Sequence, residues 1–387
     1  MSFREYEVKN FLYFLAFISL GGTFSFGLEA FPRVFNYLAL FLSFFFCFLV
    51  FARRFPSKFS FVSFFYVLIL GLGFFASISG AGALKLATLF LVLLLSIFVA
   101  RDHTLKSFSE LIYRFGKYPV IAIFIGSFLF DSAFYSQFAR GEGLSALYGQ
   151  KNSLGRILVF FWLTVCFLFI LKRDKLFLFV WAVLLSYLIY KTESRSSLIA
   201  FILIFYFLFL YIFIGQWQVI ISASVFFAAI MIALTIGNID FGEDSVSISG
   251  FSVNSTGRLA IWEYLYDRTK NEALYFGFGL GGIYEYGENL GFFDEVGWAL
   301  TDAHNGFLDL FVQIGLFGFL ALIFLYLYVS IASIRNLYGN DRFFGFSVIF
   351  LVFFFNFFSS HFLESLTFLN FILFFVYYSN WFHVKGC

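Results

Sequence analysis

Four residues far apart in the chain, Lys151, Arg195, Arg258 and His304, offer three fixed cations and one group able to accept a proton near neutral pH. Lys151 stands in Tyr148-Gly149-Gln150-Lys151-Asn152-Ser153-Leu154-Gly155-Arg156. That run is either a turn with an interfacial lysine or a cation facing an anionic substrate, with Asn152 beside it. Arg195 follows Thr192-Glu193-Ser194 and precedes Ser196-Ser197. Ser194 or Ser196 can cap a helix there, which leaves Arg195 in the first turn, where the positive end of the dipole disfavours a cation and an anion would relieve it. A snorkelling arginine paired with Glu193 is the plainer alternative.

Arg258 lies in Ser255-Thr256-Gly257-Arg258-Leu259-Ala260-Ile261-Trp262. Thr256 or Ser255 can cap a helix whose apolar side, Leu259, Trp262, Leu265 and Tyr266, recurs at spacings of three and four and lies on the membrane or the helical bundle. Arg258 then projects from the first turn beside free backbone N–H groups, and together these can grip a phosphate; a surface arginine is the alternative. His304 opens His304-Asn305-Gly306-Phe307-Leu308-Asp309. Asn305, Asp309 and Gln313 are spaced by four, so a helix places them on one polar stripe, which inside a membrane must face protein or water. His304 at the mouth of that stripe is a proton acceptor or an interfacial polar residue. Glu364, near His361, is a second partner or a helix-capping acid.

What must position these residues follows from composition. Of 387 residues, 61% are hydrophobic and 12% charged, with a mean hydropathy of +0.91. A soluble domain needs about a quarter of its residues charged, so the bilayer must be the solvent for most of this chain. The 69 phenylalanines read as lipid-facing filler. Twelve spans are expected, near residues 10 to 27, 34 to 51, 59 to 78, 83 to 100, 119 to 134, 157 to 171, 176 to 190, 198 to 214, 218 to 236, 314 to 332, 343 to 359 and 366 to 382. The first is read as a span rather than a removable signal, because Glu29, Pro32 and Arg33 follow it in place of a small-residue cleavage site. The domain division is therefore 1–236 for spans one to nine, 237–304 for one large loop, and 305–387 for spans ten to twelve.

With the N-terminus inside, fifteen of the 25 basic residues fall on inner segments, four of them in residues 101 to 118, as the positive-inside rule asks. The large loop then lies outside and is acidic: eleven acids against Arg258, Arg268 and Lys270. Its run Gly277, Gly279, Gly281, Gly282 faces a compartment without nucleoside triphosphates. It reads as turn glycines, with backbone amides free to meet an anion. The three prolines, Pro32, Pro56 and Pro119, lie near span ends. Cys47, Cys166 and Cys387 make no disulfide framework and no metal-ligand spacing, and a net charge of +2 gives no sign of nucleic-acid binding. Three cations and a histidine reaching one membrane face, beside a lipid phase, suit a lipid-linked diphosphate.

The ordered set Gln150-Lys151-Asn152-Ser153-Leu154-Gly155, Glu193-Ser194-Arg195-Ser196, Ser255-Thr256-Gly257-Arg258-Leu259-Ala260-Ile261-Trp262, Gly277-Phe278-Gly279 and Ala303-His304-Asn305-Gly306-Phe307-Leu308-Asp309 resembles the O-antigen ligase and polymerase superfamily over residues 145 to 370 or so. The family often has a proline before the glycine run, whereas this chain reads Asn271-Glu272-Ala273-Leu274-Tyr275-Phe276. The resemblance implies an all-α polytopic membrane protein of glycosyltransferase-C-like fold in the bacterial inner membrane, with the large loop periplasmic. It implies a metal-independent glycosyltransferase needing no cofactor. Arg195 and Arg258 would hold the diphosphate of an undecaprenyl-diphosphate-linked donor, and His304 would orient or deprotonate the acceptor hydroxyl. Lys151, Asn152, Asn305, Asp309 and Glu364 would line the substrate site.

The Lys-Asn-Ser-Leu-Gly and Thr-Gly-Arg…Ile-Trp segments look most like polymerases of O-antigen or exopolysaccharide repeat units, working with a chain-length regulator. A ligase passing the glycan to lipid A core is the first alternative. A glycolipid carrier or flippase is the second; it calls for ionisable residues near midmembrane, for which Lys85 and Asp131 are the nearest candidates.

Overall fold

In hydrocarbon a backbone has no water to bond to, so an apolar segment must close its hydrogen bonds within itself, and a helix does so. The computed structural model describes residues 3–19, 61–76, 80–129, 144–145, 151–171, 175–213, 245–248, 251–254, 258–285, 303–359, 362–363 and 368–383. The elements are α1 (Phe3–Ser19), α2 (Phe61–Ala76), α3 (Gly80–Asp102), α4 (Leu105–Leu129), α5 (Lys151–Leu171), α6 (Lys175–Lys191), α7 (Arg195–Phe213), β1 (Ser245–Ile248), β2 (Phe251–Asn254), α8 (Arg258–Glu272), α9 (Gly282–Glu285), α10 (Gly306–Asn336), α11 (Gly339–Phe358) and α12 (Phe368–His383). Among the described residues, six helices, α3, α4, α5, α7, α10 and α11, are long and apolar enough to cross a membrane. The chain is an all-α polytopic membrane protein. Within the large loop, β1 and β2 pair as a short antiparallel hairpin, Ser245 opposite Asn254 and Ile248 opposite Phe251. The expected spans at 34 to 51 and 218 to 236, and Asp131, lie outside the described residues.

α5 is apolar all round and buried continuously from Ser153 to Leu168, as the centre of a bundle must be. It packs against α4, α6, α7 and α11, while α12 lies along α3, α10 and α11. The phenylalanines correct the lipid-filler reading. Phe17 of α1 is fully buried, and its ring lies 5.4 Å from Phe160, 5.9 Å from Phe368, 6.0 Å from Phe108 and 6.1 Å from Phe371. Lipid tails are as apolar as the side chains, so helices associate through packing rather than water exclusion; flat rings that interlock edge-to-face give that packing, about 0.5–1.5 kcal/mol per pair beyond area. Phenylalanines of α2, α6 and α7 such as Phe64, Phe177 and Phe209 do face outward.

α4 also departs from expectation. Residues 105 to 118, expected in an inner loop, continue the helix of the fifth span without interruption, and Pro119 lies inside it. Leu105, Phe108, Leu111 and Ile112 supply the buried stripe, and the basic residues take the other face.

Between α3 and α4, His103 is 2% exposed, and among the described residues its Nε2 has no hydrogen-bond partner. Neighbouring groups tie α1, α3 and α12 together here. Lys9 pairs with Asp102, Tyr13 Oη donates to Asp102 at 2.8 Å, Ser379 Oγ donates to the His103 carbonyl at 3.2 Å, and His383 Nε2 meets the Ala100 carbonyl at 3.1 Å. Burial pushes the His103 imidazole down to about 4; Asp102 opposes this, and Lys9 and His383 add to it. The folded state keeps His103 neutral while the unfolded chain takes a proton below about 6.5. Stability therefore falls as pH drops from about 6.5 to about 4, by roughly 3 kcal/mol in all. Thermal unfolding in detergent across that range should show the loss, and His103→Gln should flatten the slope; an equally steep slope in the variant would refute the assignment.

Candidate active site

The starts of α5, α7 and α10 and the end of α11 meet at one end of the bundle, opposite the His103 junction. A Cβ placed on Gly155 would strike the Ser197 side chain, and one placed on Gly306 would strike Asn356, so these helix ends are in direct contact. Arg156 is 8% exposed and bridges them, Nη2 donating to Ser153 Oγ at 3.1 Å and Nη1 reaching Ser359 Oγ at 3.5 Å. Lys151, half-buried, and Arg195, exposed, thus occupy the first turns of neighbouring helices; Asn152 is exposed beside Lys151. Ser194 precedes α7 as expected of a cap: its carbonyl accepts from Leu198 N at 2.9 Å and its hydroxyl lies 2.9 Å from Ser197 Oγ. Glu193 adopts φ 51°, and it forms no ion pair with Arg195 among the described residues. The snorkelling-pair alternative is therefore not the arrangement found.

His304 precedes α10 with φ 50°, a left-handed conformation that costs a non-glycine residue energy and persists only where neighbours hold it. On one side Trp262 Nε1 donates to the Ala303 carbonyl at 2.8 Å. On the other, Asn305 caps α10, its Oδ1 accepting from Phe307 N at 3.0 Å and Leu308 N at 3.1 Å. Asn305, expected on the substrate side, is thus engaged as a cap, a contribution of about 1 kcal/mol. The Trp262 bond also brings α8 beside His304, so Arg258, the first residue of α8, begins one turn away from that contact. The Arg258 side chain, Ser255, Thr256, His361 and Glu364 lie outside the described residues.

The buried face of α8 keeps part of the expected stripe: Leu265 is fully buried and Trp262 packs beside it, but Ile261 and Thr269 are buried too and Tyr266 is exposed, because α8 packs against Val312 of α10 and Ala303 just before it.

The expected polar stripe of α10 does face protein. Asp309 is 3% exposed and Gln313 fully buried. Tyr284 Oη donates to Asp309 Oδ1 at 2.7 Å and Gln313 Nε2 donates to Asp309 Oδ2 at 2.6 Å. Gln313 Oε1 accepts from Lys85 Nζ and from Gly281 N, both at 3.0 Å. Asp309, expected to touch substrate, has both oxygens engaged by the protein. Lys85, half-buried in the second turn of α3, joins the stripe instead of standing alone at midmembrane; a lysine beginning an apolar run was its only sequence signal.

α10 is broken at Gly315, where φ 66° and ψ −174° fall in a region essentially reserved for glycine. The glycine loop repairs the break. Val312 O accepts from Phe278 N at 2.9 Å in place of Leu316 N, which donates to Leu274 O at 2.8 Å, and Phe317 N donates to Tyr275 O at 3.3 Å. Gly277, with φ 70°, lies back to back with Gly315, and this contact sets the path of the loop despite the missing proline. The amides of Gly277, Phe278, Leu280, Gly281 and Gly282 all donate to protein acceptors, so the run is a structural joint, not the anion cradle its glycines suggest.

Residues 180–323, which hold Arg195, Arg258, the glycine joint, His304 and the polar stripe, match the family described as O-antigen ligase. Over this stretch the chain is similar to the O-antigen ligase family. The match is shorter than the resemblance read from the motifs and leaves Lys85, Lys151, Asn152 and Glu364 outside it. No curated protein matches the chain. Its apolar helices make the protein a multi-pass membrane protein, and the family it resembles over residues 180–323 points to glycosyltransferase-like processing of glycans. A half-buried lysine and an exposed arginine at adjoining helix starts suit charge stabilisation of an anionic leaving group, and a half-buried histidine held at a third helix start suits proton transfer at the same end.

Proposed function

We propose that the protein polymerises undecaprenyl-diphosphate-linked oligosaccharide repeat units at the periplasmic face of the bacterial inner membrane, with residues 237–304 as its periplasmic loop between spans one to nine and spans ten to twelve. An acceptor hydroxyl attacks the anomeric carbon of the donor sugar. The carbon–oxygen bond to the diphosphate breaks with its electron pair on the leaving group, and the hydroxyl proton passes to His304. Arg195 and Arg258 hold the departing diphosphate, Lys151 and Asn152 add contacts on the same side, and Glu364 is a further partner. A leaving group as good as a diphosphate calls for fixed positive charge rather than an acid. The observation that supports this most directly is the meeting of the α5, α7 and α10 starts, which brings the Lys151 and Arg195 turns to the end of the bundle where His304 is held.

The description of the matched family favours a second reading, ligation of the finished glycan to lipid A core. Deleting the gene and separating the surface glycans by size distinguishes them. Core capped by one repeat is the result expected; long chains left on the lipid carrier would instead establish the ligase, and repeat units trapped on the cytoplasmic side would establish a carrier and overturn both.

A further inference from the structure

We infer that Lys85 and Gln313 are positioning residues for His304, acting through the first half of α10. The inference rests on the proton-accepting role proposed for His304. The half-helix from Gly306 to Ile314 carries His304 at its start and ends at the Gly315 break, so the continuous ladder that would anchor it to the rest of α10 is interrupted. Its orientation must come from sideways contacts. Apart from the bond of Phe278 N to Val312 O, the polar side-chain contacts run through Gln313. The amide oxygen accepts from α3 through Lys85 and from the glycine loop through Gly281, and the amide nitrogen donates to Asp309, which in turn holds Tyr284 of α9. Both ends of the amide are in use, with the ammonium on its oxygen and the carboxylate on its nitrogen, so the side chain has one favourable orientation. A lysine and an aspartate joined through a buried amide make a charge-assisted chain in a region of low dielectric, where each bond is stronger than in water and each broken one costs more. The chain fastens the half-helix to α3, an element 228 positions away from Gln313 in sequence.

A displaced half-helix moves His304 relative to Lys151 and Arg195, which stand on the separate helices α5 and α7. The effect falls on turnover rather than on donor binding, and a displacement of about 1 Å is worth about 100-fold. The test uses the full-length protein in detergent with lipid-linked repeat units extracted from the host as donor, varying their concentration. Lys85→Met and Gln313→Leu should each lower kcat about 100-fold with donor KM changed less than threefold. The double variant should be no slower than the slower single variant, because both break the same chain. Gln313→Glu, nearly the same size, should also lose activity, since it sets a second carboxylate against Asp309; it covers the case in which a larger change prevents folding. Unchanged kcat in Gln313→Glu, losses confined to KM, or multiplicative losses in the double variant would each overturn the inference. His304→Ala separates the two levels: if it is inactive while Lys85→Met and Gln313→Leu are normal, only the positioning role is lost; if it is active, the His304 role and this inference fall together.

Discussion

Arg195→Ala and Arg258→Ala are each expected to stop glycan chain growth, with a loss of transfer rate of about 100- to 1,000-fold, and His304→Ala to do the same. The magnitude for the arginines follows from what preorganised positive charge is worth where negative charge develops on a leaving group, about 3–4 kcal/mol in a site shielded from water. The histidine estimate rests on the usual value of a positioned proton acceptor, about 100- to 10,000-fold. Arg195 begins α7 with an exposed side chain and no ion pair to Glu193 among the described residues, so its removal should leave the bundle intact. Arg195→Lys sharpens the test, since it keeps the charge but loses the bidentate fork, and an intermediate rate is expected. The measurements are glycan ladder length in cells and transfer rate on purified protein, alongside membrane insertion of each variant. Normal ladders in all three alanine variants would sink the site assignment.

The second large effect concerns stability. Gly277→Ala and Gly315→Ala should each destabilise the protein by about 3 kcal/mol or more and reduce activity with it. Two costs combine: a left-handed backbone forced on a residue with a Cβ, and the entry of that Cβ into the facing backbone. On Gly277 it would lie 2.5 Å from Gly315 N and 2.6 Å from Gln313 C, atoms that cannot swing aside as a side-chain tip can. Two other glycines separate the costs. Gly339 has φ 54° with nothing within 4 Å of its Cβ position, so Gly339→Ala should cost only the dihedral term, about 1 kcal/mol. Gly71 has neither a positive φ nor a neighbour within 4 Å, so Gly71→Ala should be near neutral. Thermal midpoints in detergent should rank Gly71→Ala, Gly339→Ala and then the pair at the joint. A joint variant as stable as Gly71→Ala would show that the break in α10 does not depend on this contact.

Much of the protein was legible in one dimension because it is local. A run of apolar residues long enough to span hydrocarbon has one way to satisfy its backbone, so most helices lie where hydropathy places them. Caps are equally local, which is why Ser194 marks the start of α7 and the stripe of Asn305, Asp309 and Gln313 is read correctly as facing protein. The motifs around Arg195, Arg258 and His304 led to the O-antigen ligase family for the same reason, since each is a short contiguous string.

Other features depend on which element faces which, and no local period reports that. That Ile261 joins Leu265 in the buried face of α8 while Tyr266 is left exposed was decided by the packing of α8 against Val312 and Ala303. Phenylalanine composition is the same whether rings meet lipid or one another, and only the approach of α1, α4, α5 and α12 put Phe17 among Phe108, Phe160 and Phe371. The glycine run read as turns with amides available to an anion; the turns are there, but protein acceptors, Val312 O of the broken α10 among them, take up the amides. Lys85 read only as a candidate midmembrane charge, and its partner Gln313 lies too far away in sequence to be read beside it. The sequence by itself determined a membrane-spanning helical protein with a few cations and a histidine beside its helix starts, because those follow from chain-local hydropathy and capping. The tertiary structure alone decided that the helix carrying His304 is broken and then fastened sideways, because a hydrogen bond between residues more than 200 positions apart exists only once the bundle has closed.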